Sequence, residues 1–418
     1  PAPAGRRRSW CTTSLRIVLL VKTNSGAMWT VPQVRELRER GHHVVAVLPA
    51  GPGRLTTALR EQGVVVAESP WDMEFRPDLS TLLGLLRLRT LIRRLEPDVL
   101  YYHLYASALA ARLSTVGLPV RRVHMVAGPL YLESPVIRPV ERMLWRMDHV
   151  TICGTRFTSQ LYGQLGCPPH RRPVATCGVD TDRFSPHLPV AAARQATDET
   201  AWRDLRATIR ADLGIPADAF VVVMVAYVYP PKRLVHRGRG IKGHDVLLAA
   251  WRRFHASHPD SHLLLVGGGW TADGETHRRE LIQRFGVLAD SSITWLDSVP
   301  DVRACYAAAD VSVSPSLSEG HGAAVEAGAM GVPSIVSDAG GLPETVDESS
   351  GWVVPRDDPE ALAAALAAAA RDFHQGELAE RRRRVRERTV DLFDNRRASA
   401  QVADVIEQDH LGAMLRAR

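Results

Sequence analysis

Lysine is nearly absent from this chain of 418 residues, which has Lys22, Lys232 and Lys242 as its only lysines among 52 basic residues. The net charge of +6 is modest, and 46 acidic residues are mixed with the arginines, so charge alone does not indicate a nucleic-acid partner. This balance fits a basic enzyme that acts on anionic substrates, or one that touches an anionic membrane surface. Because lysines are so few, each one is a candidate for a specific role.

Paired cysteines and long apolar runs are also missing. The five cysteines are odd in number, scattered and without a CxxC pair, which predicts free thiols in a reducing compartment and argues against a zinc site or disulfide framework. No apolar run approaches the roughly 20 residues that a membrane-spanning helix needs. We therefore expect a cytoplasmic protein. The Pro- and Arg-rich residues 1–13 precede no apolar signal core and are predicted to be a disordered tail.

What the chain does contain is a regular alternation of strand-length apolar runs and helical patterns. The alternation begins with LRIVLLV (15–21), lapses from about residue 167 to 216, and restarts with FVVVMVAYV (220–228). Continuous Val/Ile/Leu strands between amphipathic helices are typical of parallel sheets covered on both faces. The sequence thus predicts an α/β protein with two doubly wound, Rossmann-like halves. Ligands of such sheets bind beyond the carboxyl ends of the strands.

One post-strand segment, SLSEGHGAAVEAGAMGVP (316–333), combines two carboxylates with a glycine-rich turn. Glu319 precedes the turn and Glu326 follows it, in a run that reads as a helix starting near residues 320–323. The first N–H groups of a helix attract anions, and glycine lets a ligand approach the backbone closely. Carboxylates are good acceptors for vicinal sugar hydroxyls. The simple interpretation is a capped loop, and the functional hypothesis is a site for a sugar attached to phosphate.

Together with other segments, this stretch resembles the family 4 retaining glycosyltransferases, which have the GT-B fold of two facing Rossmann-like domains with a cleft between them. Cys177 stands where the family usually has Asn, in CGVDTDRFSP, and the resemblance is weaker in the N-terminal half. Six residues separate the two glutamates, one fewer than is common in the family, which resembles a subgroup with shortened spacing. The segments that follow the family's order are KGHDVLLAAW, LLLVGGG, YAAADVSVSPSLSEG, GVPSIVSDAGGLPE and GWVVPRDDPEALAAAL.

The resemblance implies roles for single residues. Glu319 would lie near the donor sugar and diphosphate, Glu326 would hold the ribose hydroxyls, and Lys242 would contact the diphosphate. The position of the family's diphosphate-binding arginine reads Ala226-Tyr227 here, so its charge is expected from Arg233, Arg237 or Arg239. Positive charge matters because the leaving diphosphate becomes more negative as the glycosidic bond breaks.

The N-terminal half contributes two further candidates by the same resemblance. His103, at the end of a strand, matches a histidine near the transferred sugar, and Gly26 lies in a loop that approaches the diphosphate or acceptor. Without the resemblance, a lone histidine is more often structural. The predicted catalytic residues are His103, Lys242 and Glu319. The predicted donor-binding residues are Gly26, Arg233, Gly320, His321, Gly322, Ala323 and Glu326.

Two other motifs are interpreted as structural. The DTD sequence at 180–182 has the form of a metal-binding motif, but it lies in the linker and the family needs no bound metal. The basic run RRRRVRER (381–388) is most simply a solvated helix face, with weak contact to a membrane surface as the alternative. The predicted organisation is a disordered tail (1–13), an acceptor domain (14–188), a donor domain (189–389) and a C-terminal helix that crosses back to the N-terminal domain (390–418).

The expected function is that of a retaining glycosyltransferase of the hexosyltransferase type, which moves a sugar from a UDP- or GDP-linked donor to an acceptor hydroxyl. The resemblance implies neither a metal nor another cofactor. The acceptor class stays open among saccharides, lipid-linked substrates and secondary metabolites, and no oligomeric state is predicted. Two alternatives remain: a hydrolysing sugar-nucleotide epimerase of the same fold, and a non-catalytic relative that binds a nucleotide sugar.

Overall fold

The computed structural model describes residues 14–186, 199–231 and 235–416. The predicted tail and Arg233 lie outside these residues. Two six-stranded sheets form the framework, and their described pairings are parallel. The first sheet has β1 (Arg16–Val21), β2 (His43–Leu48), β3 (Val65–Glu68), β4 (Val99–His103), β5 (Arg121–Val126) and β6 (Val150–Cys153). The second has β7 (Phe220–Val225), β8 (Ser261–Val266), β9 (Ile293–Leu296), β10 (Val311–Ser314), β11 (Ser334–Ser337) and β12 (Gly351–Val354).

The helices alternate with these strands, as parallel crossover connections require. Side-chain caps start several of them; for example, Asp358 accepts the N–H groups of Glu360 and Ala361 at the start of the helix that begins with Pro359. The helices are α1 (Thr30–Glu39), α2 (Arg54–Glu61), α3 (Leu79–Leu95), α4 (Tyr105–Ser114), α5 (Ile137–Leu144), α6 (Arg156–Gln164), α7 (Glu199–Asp212), α8 (His244–His255), α9 (Ala272–Phe285), α10 (Arg303–Ala308), α11 (Ala324–Ala329), α12 (Pro359–Gln375), α13 (Leu378–Phe393) and α14 (Asn395–Arg416).

Both sheets have the same strand order. The first runs β3-β2-β1-β4-β5-β6 and the second runs β12-β11-β10-β7-β8-β9, which is the same arrangement counted from its own first strand. The direction of winding reverses between β1 and β4 in one sheet and between β7 and β10 in the other. These reversals are the topological switch points, where the loops after neighbouring strands diverge and open a crevice for ligands. The predicted α/β, doubly wound architecture is therefore confirmed.

The central strands are buried on both faces because helices cover both faces. All residues of β4, β8 and β10 are buried. On one face of the second sheet, α8 and α12 pack around Trp251, whose indole N–H donates to Ser292 Oγ at 3.0 Å. A fully buried aromatic side chain of this kind contributes on the order of 2–3 kcal/mol by removal of apolar surface from water. The sheets thus provide rigid frames from which loops project.

The chain divides into two compact units. One comprises residues up to 125 with 147–150 and 403 onward, and the other comprises 126–146 and 151–402. Helix α14 begins in the second of these and ends in the first. Within the first unit, Arg121 donates to the carbonyl of Ile406 at 3.2 Å. The same helix segment also forms ion pairs with Arg40, through Asp404 and Glu407. The domain boundaries predicted from the sequence stay a prediction.

Candidate functional site

The switch point of the second sheet carries the predicted lysine and the first glutamate. Strands β7 and β10 are paired, with Val222 opposite Val311, so their carboxyl ends lie side by side. The loop after β7 leads to Lys242, and the loop after β10 leads to Glu319. Both of these side chains line a small pocket here. The position agrees with the general rule for ligand sites in open α/β sheets.

Lys242 and Glu319 form an ion pair through Nζ and Oε2, and both side chains are less than one-fifth exposed. The ammonium also lies 5.7 Å from the centre of the Tyr229 ring. Burial opposes the charge on Lys242, but the Glu319 carboxylate and Tyr229 outweigh it and raise the pKa of the ammonium above its ordinary value. The site therefore holds a permanently protonated lysine, whose charge is matched by one carboxylate.

The glycine turn makes room for Glu319 itself. The N–H of Gly320 donates to Glu319 Oε1 at 3.1 Å. Gly322 has a left-handed backbone (φ +54°), and a Cβ there would lie 2.9 Å from the carboxyl carbon of Glu319. At Gly340, a Cβ would lie 1.9 Å from the Glu319 carbonyl oxygen. The sequence suggested that Gly320 and Gly322 clear space for a ligand. In the structure, the missing side chain of Gly322 makes room for the Glu319 carboxylate, and that of Gly340 makes room for the Glu319 backbone.

The helix after the turn starts later than expected. Residues 320–323 form the turn, α11 begins at Ala324 and it has only six residues. The left-handed conformation of Gly322 interrupts the α-helical backbone, which explains why the helix cannot start before it. The helix therefore begins one residue beyond the predicted range of 320–323, with Ala323 in the N-cap position. As a consequence, Glu326 lies in the first turn of α11.

Glu326 is held by a tyrosine from another helix. The hydroxyl of Tyr306, in α10, lies 3.3 Å from Glu326 Oε2 and donates to it, and it is also 3.3 Å from the Ala323 carbonyl. Burial raises the pKa of Glu326 to about 7, although Tyr306 and the charge of Arg183 counteract the shift. The carboxylate is thus poised to change charge near neutral pH. Sequence reasoning missed Tyr306, since nothing local marks it except an aromatic residue in an alanine-rich helix.

His321 and the predicted arginines have other partners. The His321 ring packs edge-on against Phe393 at 4.8 Å and lies 3.7 Å from Glu344. Arg239 donates to Asp245 at 2.6 and 3.0 Å and also contacts Asp357, so two carboxylates neutralise it. Nothing is described for Arg233 or for the side chain of Arg237. None of the predicted arginine replacements is thus observed at Lys242.

Aromatic side chains occupy the segment where the family has its arginine. Tyr229 stacks on Trp270, with ring centres 5.8 Å apart, and Tyr227 meets the same ring edge-on at 5.0 Å. Tyr229 is the member of this cluster that lies next to Lys242. A phenol hydroxyl can donate to a phosphate oxygen, so Tyr229 is a further candidate that the basic pattern of the loop concealed.

The first sheet places its two candidates at its own switch point. His103 ends β4 opposite Val21, the last residue of β1, and Gly26 lies in the loop after β1. The Gly26 N–H donates to Thr23 Oγ1 at 3.2 Å, which fixes the turn. His103 is fully buried and accepts a hydrogen bond at Nδ1 from the indole N–H of Trp29, at 3.2 Å. Burial, with a contribution from His124, lowers the pKa of His103 to about 3.

The DTD motif is engaged in local structure. Asp180 accepts the backbone N–H of Arg183 at 2.9 Å, Thr181 donates to Asp394, and Asp182 pairs with Arg396 at 2.6 Å. Within the described ranges, no group of three or more His, Cys, Asp or Glu residues is arranged to hold a metal ion. The aspartates of this motif thus act as turn and ion-pair partners.

The basic run of α13 is largely paired. On its exposed side, Arg383 bridges to both Glu380 and Glu387 at 2.6 Å. Toward the protein, Arg382 pairs with Asp310 at 3.2 Å, and Arg386 donates to the carbonyl of Thr181 at 2.8 Å. Little unmatched positive charge therefore remains for a membrane surface. None of the described helices is both long and apolar enough to span a membrane.

Two family models match the chain in succession. The model described as "Glycosyltransferase Family 4" matches residues 31–183, and that described as "Glycosyl transferases group 1" matches residues 231–372. Both halves of the chain are thus similar to glycosyltransferase models, which supports the predicted enzyme class and the broader, family-4-like part of the resemblance. The subgroup with shortened glutamate spacing stays a prediction.

Curated relatives carry glycosyltransferase names. D-inositol 3-phosphate glycosyltransferase 2 of Catenulispora acidiphila is 31% identical over 245 residues, which are 56% of this chain and 49% of the relative. The GDP-mannose-dependent alpha-(1-6)-phosphatidylinositol monomannoside mannosyltransferase of Mycolicibacterium smegmatis is 31% identical over 241 residues, 56% of each chain. The chain thus spans about half the length of these relatives.

Solved structures establish the fold. A glycosyltransferase from Rickettsia africae superimposes with a TM-score of 0.74 at 18% identity, and covers 95% of this chain and 99% of its own. Anabaena Alr3699/HepE, solved in complex with UDP and glucose, gives 0.74 at 19% identity over 94% of this chain and 99% of its own. The similarity extends over nearly whole chains, and it confirms the predicted GT-B fold.

Proposed function

We propose that this protein is a retaining glycosyltransferase, which moves a sugar from a nucleotide-diphosphate sugar to an acceptor hydroxyl. The observation that carries the proposal is the buried Lys242–Glu319 pair at the switch point of the second sheet, with Glu326 seven positions further along the chain. Support also comes from the relatives, one of which is named as GDP-mannose-dependent and another of which was solved with UDP and glucose. The donor is accordingly UDP- or GDP-linked.

Lys242 provides the charge that the leaving group needs. As the bond between the sugar and the diphosphate breaks, negative charge grows on the phosphate oxygen, and a fixed ammonium in a partly dry site stabilises it. Without a bound diphosphate, Glu319 neutralises Lys242. When the diphosphate binds, the lysine is shared between the two anions. Lys242 thus supplies positive charge from the protein itself, which fits the expected metal-independent reaction.

Glu326 anchors the nucleoside. A carboxylate can accept hydrogen bonds from the two adjacent hydroxyls of a ribose, one at each oxygen. Tyr306 donates to one of these oxygens and thereby orients the group. Attack by the acceptor oxygen occurs on the face that the diphosphate leaves, and a phosphate oxygen takes the acceptor proton. The new glycosidic bond forms as the old one breaks, so the anomeric configuration is retained.

The first prediction is that Lys242→Ala and Glu326→Ala each abolish stabilisation by nucleotide. In a thermal-shift assay with UDP, GDP, ADP and dTDP, the preferred diphosphate should raise the melting temperature of the wild type. Loss of a charged partner of the diphosphate or ribose costs about 2 kcal/mol or more, which corresponds to at least a roughly thirtyfold weaker affinity. Arg253→Ala, at a pair with Glu360 in which both side chains are mostly exposed, is the matched control. Unchanged nucleotide binding in both site variants would sink the assignment.

The alternatives predict different products. A hydrolysing epimerase converts the donor without an acceptor and releases an epimerised sugar, which a donor-only incubation reveals. A non-catalytic relative binds the nucleotide but turns over no donor with saccharide, lipid-linked or secondary-metabolite acceptors. We expect neither outcome, because the glycosyltransferase models match both halves of the chain.

A further inference from the structure

The hydrogen bond between Trp29 and His103 defines where the imidazole carries its proton. Trp29 Nε1 lies 3.2 Å from His103 Nδ1. An indole N–H can only donate, so Nδ1 must be the acceptor and must be unprotonated. A neutral imidazole with a bare Nδ1 has its proton on Nε2. The structure therefore specifies one tautomer of His103, the Nε2–H form.

The other ring nitrogen is left without a partner. His103 is fully buried, and no hydrogen-bond partner for Nε2 exists within the described part of the chain. Tyr101 packs edge-on against the ring, 4.6 Å between centres, and together with Trp29 it restricts the ring orientation. A buried N–H without an acceptor is costly, and such groups are rare in native proteins. The arrangement is explained if a ligand brings the missing acceptor.

The backbone next to His103 is strained. Leu104 has φ +70° and ψ 147°, a region that is almost exclusive to glycine. It joins β4 to α4 directly after the histidine, at the switch point of the first sheet. Backbone strain of this kind persists where the surrounding structure needs a particular geometry, most often at functional sites. It provides a second observation, independent of the hydrogen bond, that marks this position.

We propose that Trp29 is a positioning residue, which holds His103 in the neutral Nε2–H form and so presents a fixed N–H donor to a hydroxyl oxygen of a bound sugar. The inference rests on the proposed function, since it assigns the acceptor to a sugar substrate. His103 then acts as a hydrogen-bond donor and not as a general acid or base. The low pKa of His103, which burial causes, is consistent with a ring that stays neutral during turnover.

The first test is spectroscopic and needs no substrate. Nitrogen NMR of protein labelled at its histidines should show His103 with a bare Nδ1 and a protonated Nε2, with its signals assigned by their loss in His103→Gln. In Trp29→Phe, which keeps an aromatic ring but removes the donor, the Nδ1 signal should shift and an Nδ1–H population should appear. A protonated Nδ1 in the wild type, or identical His103 spectra in both proteins, overturns the positioning role.

The second test is kinetic and has a matched control. Trp71 lies in the same unit and has a buried indole N–H without a described partner, so Trp71→Phe makes the same chemical change at a residue with no described contact to His103. Trp29→Phe should lower kcat/KM for sugar transfer from UDP-glucose or GDP-mannose about tenfold, which is the scale of one hydrogen bond. The Kd of UDP or GDP should stay within about twofold, because these nucleotides carry no sugar. Trp71→Phe should change neither quantity. Equal kcat/KM in the wild type and Trp29→Phe contradicts the proposal.

Two incubations identify the source of the hydroxyl. If the oxygen belongs to the donor sugar, Trp29→Phe slows both transfer and acceptor-free hydrolysis of UDP-glucose or GDP-mannose. If it belongs to the acceptor, only transfer slows. A wild type that binds nucleotide but consumes no nucleotide sugar overturns the proposed function, and with it the ligand, while the NMR result still decides the role of Trp29.

Discussion

Glu326 is a half-buried carboxylate whose pKa burial raises to about 7, and its proposed role requires two accepting oxygens. The ionised form predominates above that pKa and the protonated form below it. Protonation converts one acceptor oxygen into a donor and removes its charge, so ribose binding should weaken as the pH falls. At the scale of the single residue, the environment that makes Glu326 a firm anchor therefore also makes it sensitive to pH.

The second prediction concerns this dependence. Between about pH 8 and about pH 6, the Kd of UDP or GDP should rise about tenfold, since each unit below the pKa costs a factor of ten. Isothermal titration calorimetry of the wild type and Glu326→Gln separates this effect from titration of the nucleotide phosphate, because the variant lacks only the carboxylate. Parallel pH profiles for the two proteins would contradict the assignment.

The third prediction concerns Gly322. Alanine there forces a Cβ to within 2.9 Å of the Glu319 carboxyl carbon and also strains a backbone with φ +54°. Gly286→Ala is the matched control, because Gly286 has φ +64° in the same unit but open space around its Cβ. Each variant should lose roughly 1–2 kcal/mol of stability for the left-handed backbone. Only Gly322→Ala should also lose most donor turnover; equal turnover in both would show that the Glu319 position does not matter.

At the scale of secondary-structure elements, one buried carboxylate joins the helices that surround β10. Asp310 is 2% exposed and pairs with Arg210 of α7 at 2.8 Å and with Arg382 of α13 at 3.2 Å. Arg206 lies 2.5 Å from the same carboxylate. Burial lowers the pKa of Arg382 to about 10 despite this partner. The basic run in α13 therefore has a partly structural role, because Arg382 attaches that helix beside β10, the strand that leads to Glu319.

The fourth prediction follows from this cluster. Asp310→Asn leaves three partly buried arginines without their carboxylate, and we expect the free energy of unfolding to fall by roughly 3–5 kcal/mol. Asp301→Asn, which breaks the more exposed pair with Arg303, should cost less than about 1 kcal/mol. Chemical denaturation of the two variants and the wild type measures the difference. Equal losses would mean that Asp310 does not hold these elements together.

At the scale of the whole molecule, the alternation of apolar strands and helices was sufficient to predict the fold but not the contacts of the site. Parallel strands buried on both faces give continuous apolar runs, so both sheets could be predicted, and the strand order then placed Lys242 beside Glu319. The contacts that tune the site join distant positions, such as Trp29 with His103, 74 residues apart. Tyr306 and Glu326 are 20 residues apart. No local pattern encodes such pairs, because they form only when separate elements of the fold come together.

Helix α11 starts slightly later than the sequence predicts, for a local reason. GHGAAVEAGAM has a helical composition, but the left-handed Gly322 keeps the backbone out of the helix until Ala324. A glycine can serve either as a helix residue or as a turn residue, and here Gly322 adopts the left-handed turn conformation next to the Glu319 side chain. Of the arginines expected near Lys242, Arg239 is neutralised by Asp245 and Asp357. Arg233 lies outside the described residues and stays a prediction.

The fifth prediction tests the central claim most directly, through the anomer of the sugar that is first released. Wild-type protein incubated with UDP-glucose or GDP-mannose, in which the sugar is α-linked, should release the α-anomer before mutarotation, as followed by proton NMR from the first minutes. Lys242→Ala should release sugar at a small fraction of that rate. Initial release of the β-anomer, of an epimerised sugar, or at equal rates from both proteins would contradict a retaining glycosyltransferase centred on Lys242 and Glu319.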